Sequence, residues 1–235
     1  MTGGNKGIGL GVARGLVGAG MRVCITGRDP ESLAASVEAL EAAADSPVGD
    51  ASPVLGEVAD VRDPAALEAA VAKTLDRFGA IDVVVANAGV GRFGSVIDLE
   101  LDAWNEVIDT NLTGVFNTVK ATLPALLASS GLLVTIGSLA GANFFAGGSA
   151  YNASKFGLAG FSQAIMLDLR ERGVRVSTIM PGSVATPFGG REPSPEDAWK
   201  LHPDDIAESV LYLARIDERA LPSKIEIRPS RPKQR

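Results

Sequence analysis

Reactive and metal-binding side chains are scarce in this sequence. Cysteine and histidine each occur once in 235 residues, as Cys24 and His202. A lone cysteine closes no internal disulfide, and Cys24 lies in the apolar run Val23-Cys24-Ile25, where it reads as a small buried hydrophobe. His202 precedes Pro203 and a helix start, with no Cys or acidic cluster at ligand spacing, so no metal centre is expected. No stretch approaches the roughly 20 apolar residues of a membrane span. No secretory signal is present, and a cytoplasmic setting is expected. The net charge is −6 without a basic patch, which argues against nucleic acid as a partner. The tail from Arg228 to Arg235 reads as a solvated terminus.

Glycine and apolar residues are plentiful, with 27 glycines and a hydrophobic fraction of 46%. The length suits one domain over residues 1–235 with a large core. Short apolar runs predict strands at Arg22 to Thr26, Val54 to Val58, Ile81 to Ala86, Leu132 to Ile136, Arg175 to Met180 and Lys224 to Ile227. Helical patterns lie near Ile8 to Ala19, Pro30 to Ala44, Pro64 to Arg77, Leu101 to Ser129, Tyr151 to Arg172 and Pro203 to Ile216. Asp29-Pro30 and Asp63-Pro64 each pair a cap with proline at the first helical position. Gly20, Gly79 and Gly173 stand where helices stop. The segment Ala43 to Pro53 reads as a surface loop. Strands alternating with helices imply a doubly wound, Rossmann-like parallel sheet with helices on both faces. Ligands then sit beyond the carboxyl ends of the strands.

The glycine loop Thr2-Gly3-Gly4-Asn5-Lys6-Gly7-Ile8-Gly9 follows Met1 directly, where a strand belongs. Either the reading begins late, or the chain is truncated, or the sheet genuinely lacks its first, central strand. The core area that such a loss removes favours a longer form with several residues upstream. Gly3, Gly7 and Gly9 let the backbone approach a pyrophosphate, which the following helix N-terminus attracts. An ordinary tight turn would also use them. At the end of the next strand stands Arg28, not the acid an NAD site carries. Arg28 can fork onto a 2′-phosphate, with Lys6 as a second cation. This favours NADP(H) over NAD(H). Asp60-Val61 and Asn87-Ala88-Gly89 fall at strand ends, where adenine and ribose lie, and both also suit plain turns.

Tyr151 and Lys155 are four apart and share a helix face. An ammonium beside a phenol favours the phenolate, so the Tyr151 pKa is expected to fall below its usual value of about 10. Ser138 closes the buried run Leu132-Leu133-Val134-Thr135-Ile136. A strand-end hydroxyl beside a Tyr/Lys pair suits carbonyl or alcohol chemistry.

Together these residues resemble the short-chain dehydrogenase/reductase family, in its single-domain branch. The matching elements are Thr2-Gly3…Gly7-Ile8-Gly9, Asp60-Val61, Asn87-Ala88-Gly89, Asn111, Ser138, Tyr151…Lys155 and Pro181-Gly182…Thr186, in the family's order over nearly the whole chain. The resemblance implies that Tyr151 is the general acid/base. Lys155 would lower its pKa and bind the nicotinamide ribose, and Ser138 would polarise the substrate carbonyl. Asn111 would hold a water relaying protons to Lys155. Pro181, Gly182, Val184 and Thr186 would flank the nicotinamide. Two long helices would pair across a two-fold axis as a homodimer or tetramer.

Val90 to Gly94, Leu139 to Gly148 and Val184 to Leu201 are expected to wall the substrate. Their small or apolar residues, with Phe93, Phe144, Phe145, Phe188 and Trp199, suit an apolar or mixed carbonyl compound. No Arg cluster marks an acidic substrate, Arg92 and Arg191 being the lone loop arginines in these walls. The alternative is a catalytically silent nucleotide-binding sensor or scaffold, which would have no need for Tyr151 with Lys155. A methyltransferase would explain the glycine loop but not Ser138, Tyr151 and Lys155.

Overall fold

The computed structural model describes residues 1–44, 52–190 and 192–231. Its strands are β1 (Val23–Gly27), β2 (Val54–Val58), β3 (Val83–Ala86), β4 (Leu132–Ile136), β5 (Arg175–Pro181) and β6 (Lys224–Ile227). Its helices are α1 (Gly7–Gly18), α2 (Pro30–Ala42), α3 (Pro64–Phe78), α4 (Leu101–Ile108), α5 (Gly114–Ser129), α6 (Ser149–Leu169) and α7 (Pro203–Arg215). The expected caps form. Asp29 accepts from the Ser32 N–H, and Asp63 from the N–H groups of Ala65 and Ala66, each before a proline. Gly79 ends α3 at φ 83°, a conformation glycine adopts without strain. The continuous helix expected over Leu101 to Ser129 is instead α4 and α5 joined by a π-helical turn, Asp109–Thr113. Such turns are frequent at functional sites. The loop expected over Ala43 to Pro53 and the end of the basic tail lie largely outside the described residues.

All strand pairs are parallel, in the orders β1-β2 and β3-β4-β5-β6. Alternate residues of β4 face opposite layers. Leu132, Val134 and Ile136 pack with Val12 and Leu16 of α1 and Ile206 and Val210 of α7. Leu133 packs with Val115 and Val119 of α5 and Leu158 of α6. Both faces are therefore covered, which is why the strands are continuously apolar.

The sheet divides between β1 and β3, where Thr2 joins the two parts. Thr2 bridges Thr26 in parallel and donates its N–H to the Val85 carbonyl at 3.0 Å. Beside it a cavity of about 320 Å³ separates the strands, lined among others by Cys24, Phe78, Val83, Val85 and Thr122. Cys24 is half-buried rather than buried, because its strand packs against β2 on one side and opens onto this cavity on the other.

Candidate active site

The glycine loop turns into α1 through Lys6, an extended residue whose side chain caps nothing. No acid occupies the helix's first turn. The leading N–H groups and positive dipole end therefore face outward for an anion. Gly3 sits at φ 62°. A Cβ at Gly9 would lie 2.1 Å from the Gly3 carbonyl oxygen, so the loop closes on the helix only with glycine there. Among the residues expected to bind cofactor, Lys6 is exposed and Gly7 and Ile8 are half-buried along this turn.

Two expected ligand contacts prove to be scaffolding. The Asn87 amide donates to the carbonyls of Thr2 and Gly3, both at 3.0 Å. Thr2 Oγ1 accepts from the N–H groups of Asn87 (3.1 Å) and Ala88 (3.2 Å). The Asn87 side chain thus stitches the loop after β3, including Gly89, to the glycine loop. Asn5 donates to Ser32 Oγ at 2.8 Å and ties the loop to α2.

Arg28 leaves the end of β1 half-exposed, 3.8 Å from Asp60. The Asp60 carboxylate, expected to face an adenine, is held by Arg62, whose Nε and Nη2 donate at 3.0 and 2.6 Å. The Arg62 hydrogen bonds keep the Asp60 carboxyl below its ordinary pKa. Arg62 was not among the expected residues, and its spacing two positions after Asp60 was the available signal. Val61 is buried and packs against α5 at Gly114, while its carbonyl accepts from Asn117 at 3.0 Å. It positions the turn through packing.

Ser138, Tyr151 and Lys155 come together at the carboxyl end of β4. Ser138 opens a short turn, Leu139–Gly141, and accepts from the Ala140 N–H at 3.1 Å. α6 lies tightly on that turn, since a Cβ at Gly141 would approach the Lys155 carbonyl oxygen to 2.6 Å. Tyr151 stands in the first turn of α6, and the Ser138 hydroxyl lies near enough to its phenol to favour the ionised form. Lys155, one turn on and 6% exposed, donates to the Ile136 carbonyl at 2.9 Å. Its ammonium lies 5.8 Å from the centre of the Tyr151 ring.

The expected acidified phenol is not what this geometry yields. Burial pushes the Tyr151 pKa up, and the Ser138 hydrogen bond opposes it. Burial also lowers the Lys155 pKa to about 8. The lysine's own desolvation weakens the cation that was to favour the phenolate, and its ammonium is turned toward Ile136.

Asn111, 0% exposed in the π-helical turn, accepts from the Val90 N–H at 2.8 Å. It donates to the Val90 carbonyl at 2.9 Å and to Ser154 Oγ at 3.1 Å. Both ends of its side-chain amide are engaged, so the side chain clamps the loop after β3 to the residue preceding Lys155.

Beyond β5, which ends at Pro181, the Gly182 N–H donates to Ile227 at 2.8 Å. Val184 bridges Leu201. Thr186 rises over the glycine loop, where a Cβ at Gly7 would meet its side chain at 3.5 Å. Arg92 is paired with Glu106 at 2.7 Å, and Arg191 lies outside the described residues. His202 caps α7 as a structural residue, its N–H bonded to Asp205 at 2.7 Å. Among the described residues no helix is long and apolar enough to cross a membrane.

The family profile for short chain dehydrogenase matches residues 1–197. The chain belongs to the short-chain dehydrogenase family. This short-chain dehydrogenase is 31% identical to an uncharacterized oxidoreductase of Staphylococcus saprophyticus, over 97% of this chain and 95% of that one. It is 34% identical to a putative ketoacyl reductase of Streptomyces coelicolor, over 96% and 85% of the two chains. Its structure resembles that of an alcohol dehydrogenase from the archaeon Thermococcus sibiricus complexed with 5-hydroxy-NADP. There the TM-score is 0.89 at 30% identity, covering 100% of this chain and 97% of that one.

Proposed function

We propose that this short-chain dehydrogenase is an NADP(H)-dependent oxidoreductase acting on a carbonyl or secondary alcohol substrate. The observation that carries the reading is the convergence of Ser138, Tyr151 and Lys155 beyond β4, with the buried Lys155 ammonium 5.8 Å from the centre of the Tyr151 ring. The uncapped start of α1 and the glycine packing at Gly9 suit a pyrophosphate. Arg28 and Lys6 would hold a 2′-phosphate, Lys155 the nicotinamide ribose, and Pro181, Gly182, Val184 and Thr186 the nicotinamide side. Bound NADP(H) supplies or takes up the hydride.

A phenol held up by burial stays protonated at neutral pH, the form that donates in reduction. Tyr151 gives its proton to the carbonyl oxygen in that direction and takes it back from the hydroxyl in the other. Ser138 holds the same oxygen by hydrogen bond. The Lys155 ammonium steadies the phenolate left behind. The chain works as one cytoplasmic domain, in a homodimer or tetramer. Assembly through α5 and α6 is supported by their exposed Phe116, Phe156 and Leu167.

The test follows NADPH absorbance with ketones, diketones and β-ketoacyl thioesters. Tyr151→Phe should lower kcat by about 10²–10⁴-fold. Turnover equal to the parent's would overturn the mechanism.

A further inference from the structure

The phenol at the centre of the site is roofed by aromatic rings. Phe93 meets the Tyr151 ring at 5.4 Å and 64°. Phe188 meets it from a different loop at 5.7 Å and 57°. The two phenylalanine rings lie 6.4 Å apart at 67°, and Phe145 extends the cluster 6.0 Å from Phe93. These are edge-to-face separations and tilts. Yet Phe93 is 52% exposed and Phe188 43%, so the cluster is a surface feature and not part of the core. Contiguous exposed apolar surface of this kind marks a binding site.

Glycines make room for the rings. A Cβ at Gly91 would lie 2.7 Å from Phe188 and 2.8 Å from Phe93. A Cβ at Gly148 would lie 2.6 Å from Phe145. Phe188 is followed by Gly189 at φ 76° and Gly190 at φ 83°, where side chains are disfavoured. The bases of both loops are pinned, by the Gly94–Gly148 and Val184–Leu201 bridges. Each ring therefore stands beside glycines on a loop whose base is pinned. Charge is scarce around them. Within residues 90–94, 139–148 and 184–190 the one charged side chain is Arg92, which Glu106 neutralises.

We propose that Phe93 and Phe188 form an aromatic gate over Tyr151 that selects neutral substrates bearing a planar ring directly on the reacting carbonyl carbon. This rests on the oxidoreductase reading and specifies its substrate class. A flat ring entering the gate takes over the edge-to-face contacts that Phe93 and Phe188 make with each other and with Tyr151. A saturated ring of the same size gains contact area but not that electrostatic fit. The loop that carries Phe93 begins at Val90, which Asn111 holds by both its N–H and its carbonyl, so the gate has a rigid hinge on the catalytic side.

The experiment compares acetophenone with cyclohexyl methyl ketone, which share a skeleton and differ in planarity. The parent is compared with Phe93→Leu/Phe188→Leu, which keeps apolar volume at two partly exposed positions. Circular dichroism checks folding. Taking the ratio of ratios cancels the ketones' intrinsic reactivity. The kcat/KM preference for the aryl ketone should fall about tenfold in the double variant, mainly through its KM. Calorimetry with 1-phenylethanol and 1-cyclohexylethanol, in the presence of NADPH, reads the same preference without turnover. An unchanged ratio in both assays overturns the gate. Selective binding of the phenyl compound, lost in the variant, with no turnover of any ketone by the parent would sustain the gate and sink the oxidoreductase reading instead.

Discussion

β4 and β1 are both five-residue parallel strands of small apolar residues, and the fold treats them differently. β4 is paired on both sides, by β3 and β5, and every one of its residues is buried. β1 is paired on one side by β2 and is linked to β3 through Thr2. The residues proposed as catalytic gather beyond the end of β4, and Arg28, proposed to hold the 2′-phosphate, follows the end of β1. Proton transfer needs atoms held to a fraction of an ångström, and the doubly paired strand with its buried polar network supplies that. Recognition of a phosphate by a long, exposed arginine tolerates a softer support.

Matched truncations should expose this difference most strongly. Leu133→Ala removes a side chain buried between α5 and α6 and should cost roughly 2–5 kcal/mol. Cys24→Ala trims a side chain already facing a cavity and should cost about 1 kcal/mol or less. Urea unfolding midpoints at constant m would measure both. Equal losses would show that β1 is as tightly held as β4.

The buried lysine provides the next test. In the folded chain Lys155 loses its proton near pH 8, whereas in the unfolded chain it does so near 10.4. Between those values the unfolded state binds more protons, so stability rises with pH across that window. Relative to Lys155→Met, the parent should gain about 2 to 3 kcal/mol from well below pH 8 up to pH 10. Parallel stability profiles for the two proteins would contradict the desolvated lysine.

Elements and caps were legible in the sequence because their causes are local. Asp29-Pro30 and Asp63-Pro64 start helices with atoms two or three residues away. The approach of Ser138 to Tyr151 was legible because a strand end and a helix start were both visible. What escaped depended on distant partners. Asn111 is engaged by Val90, 21 positions away, and Ser154, 43 positions away. No local pattern shows which partners its side-chain amide takes. The sign of the Tyr151 shift escaped for the same reason. Helical spacing brings Lys155 near, but burial, a property of the whole fold, outweighs that proximity. Phe93 and Phe188 were each visible as wall residues, and only the folded loops converge them on one phenol.

The smallest expected effect separates the two regions by function. Arg28→Ala should raise KM for NADPH about tenfold, or about 1.4 kcal/mol, the scale of one partly exposed charge-assisted contact. KM for NADH and kcat should stay close to the parent's, because Arg28 lies on the β1 flank, where its charged neighbour is Asp60 at 3.8 Å rather than Ser138, Tyr151 or Lys155. The modest size follows from its half-exposed side chain, which water and salt screen. Raising ionic strength should therefore narrow the gap between parent and variant, whereas a Tyr151→Phe defect, lying in a desolvated site, should not respond. A fall in kcat with Arg28→Ala would mean that the β1 flank and the catalytic strand are mechanically coupled through Thr2 after all.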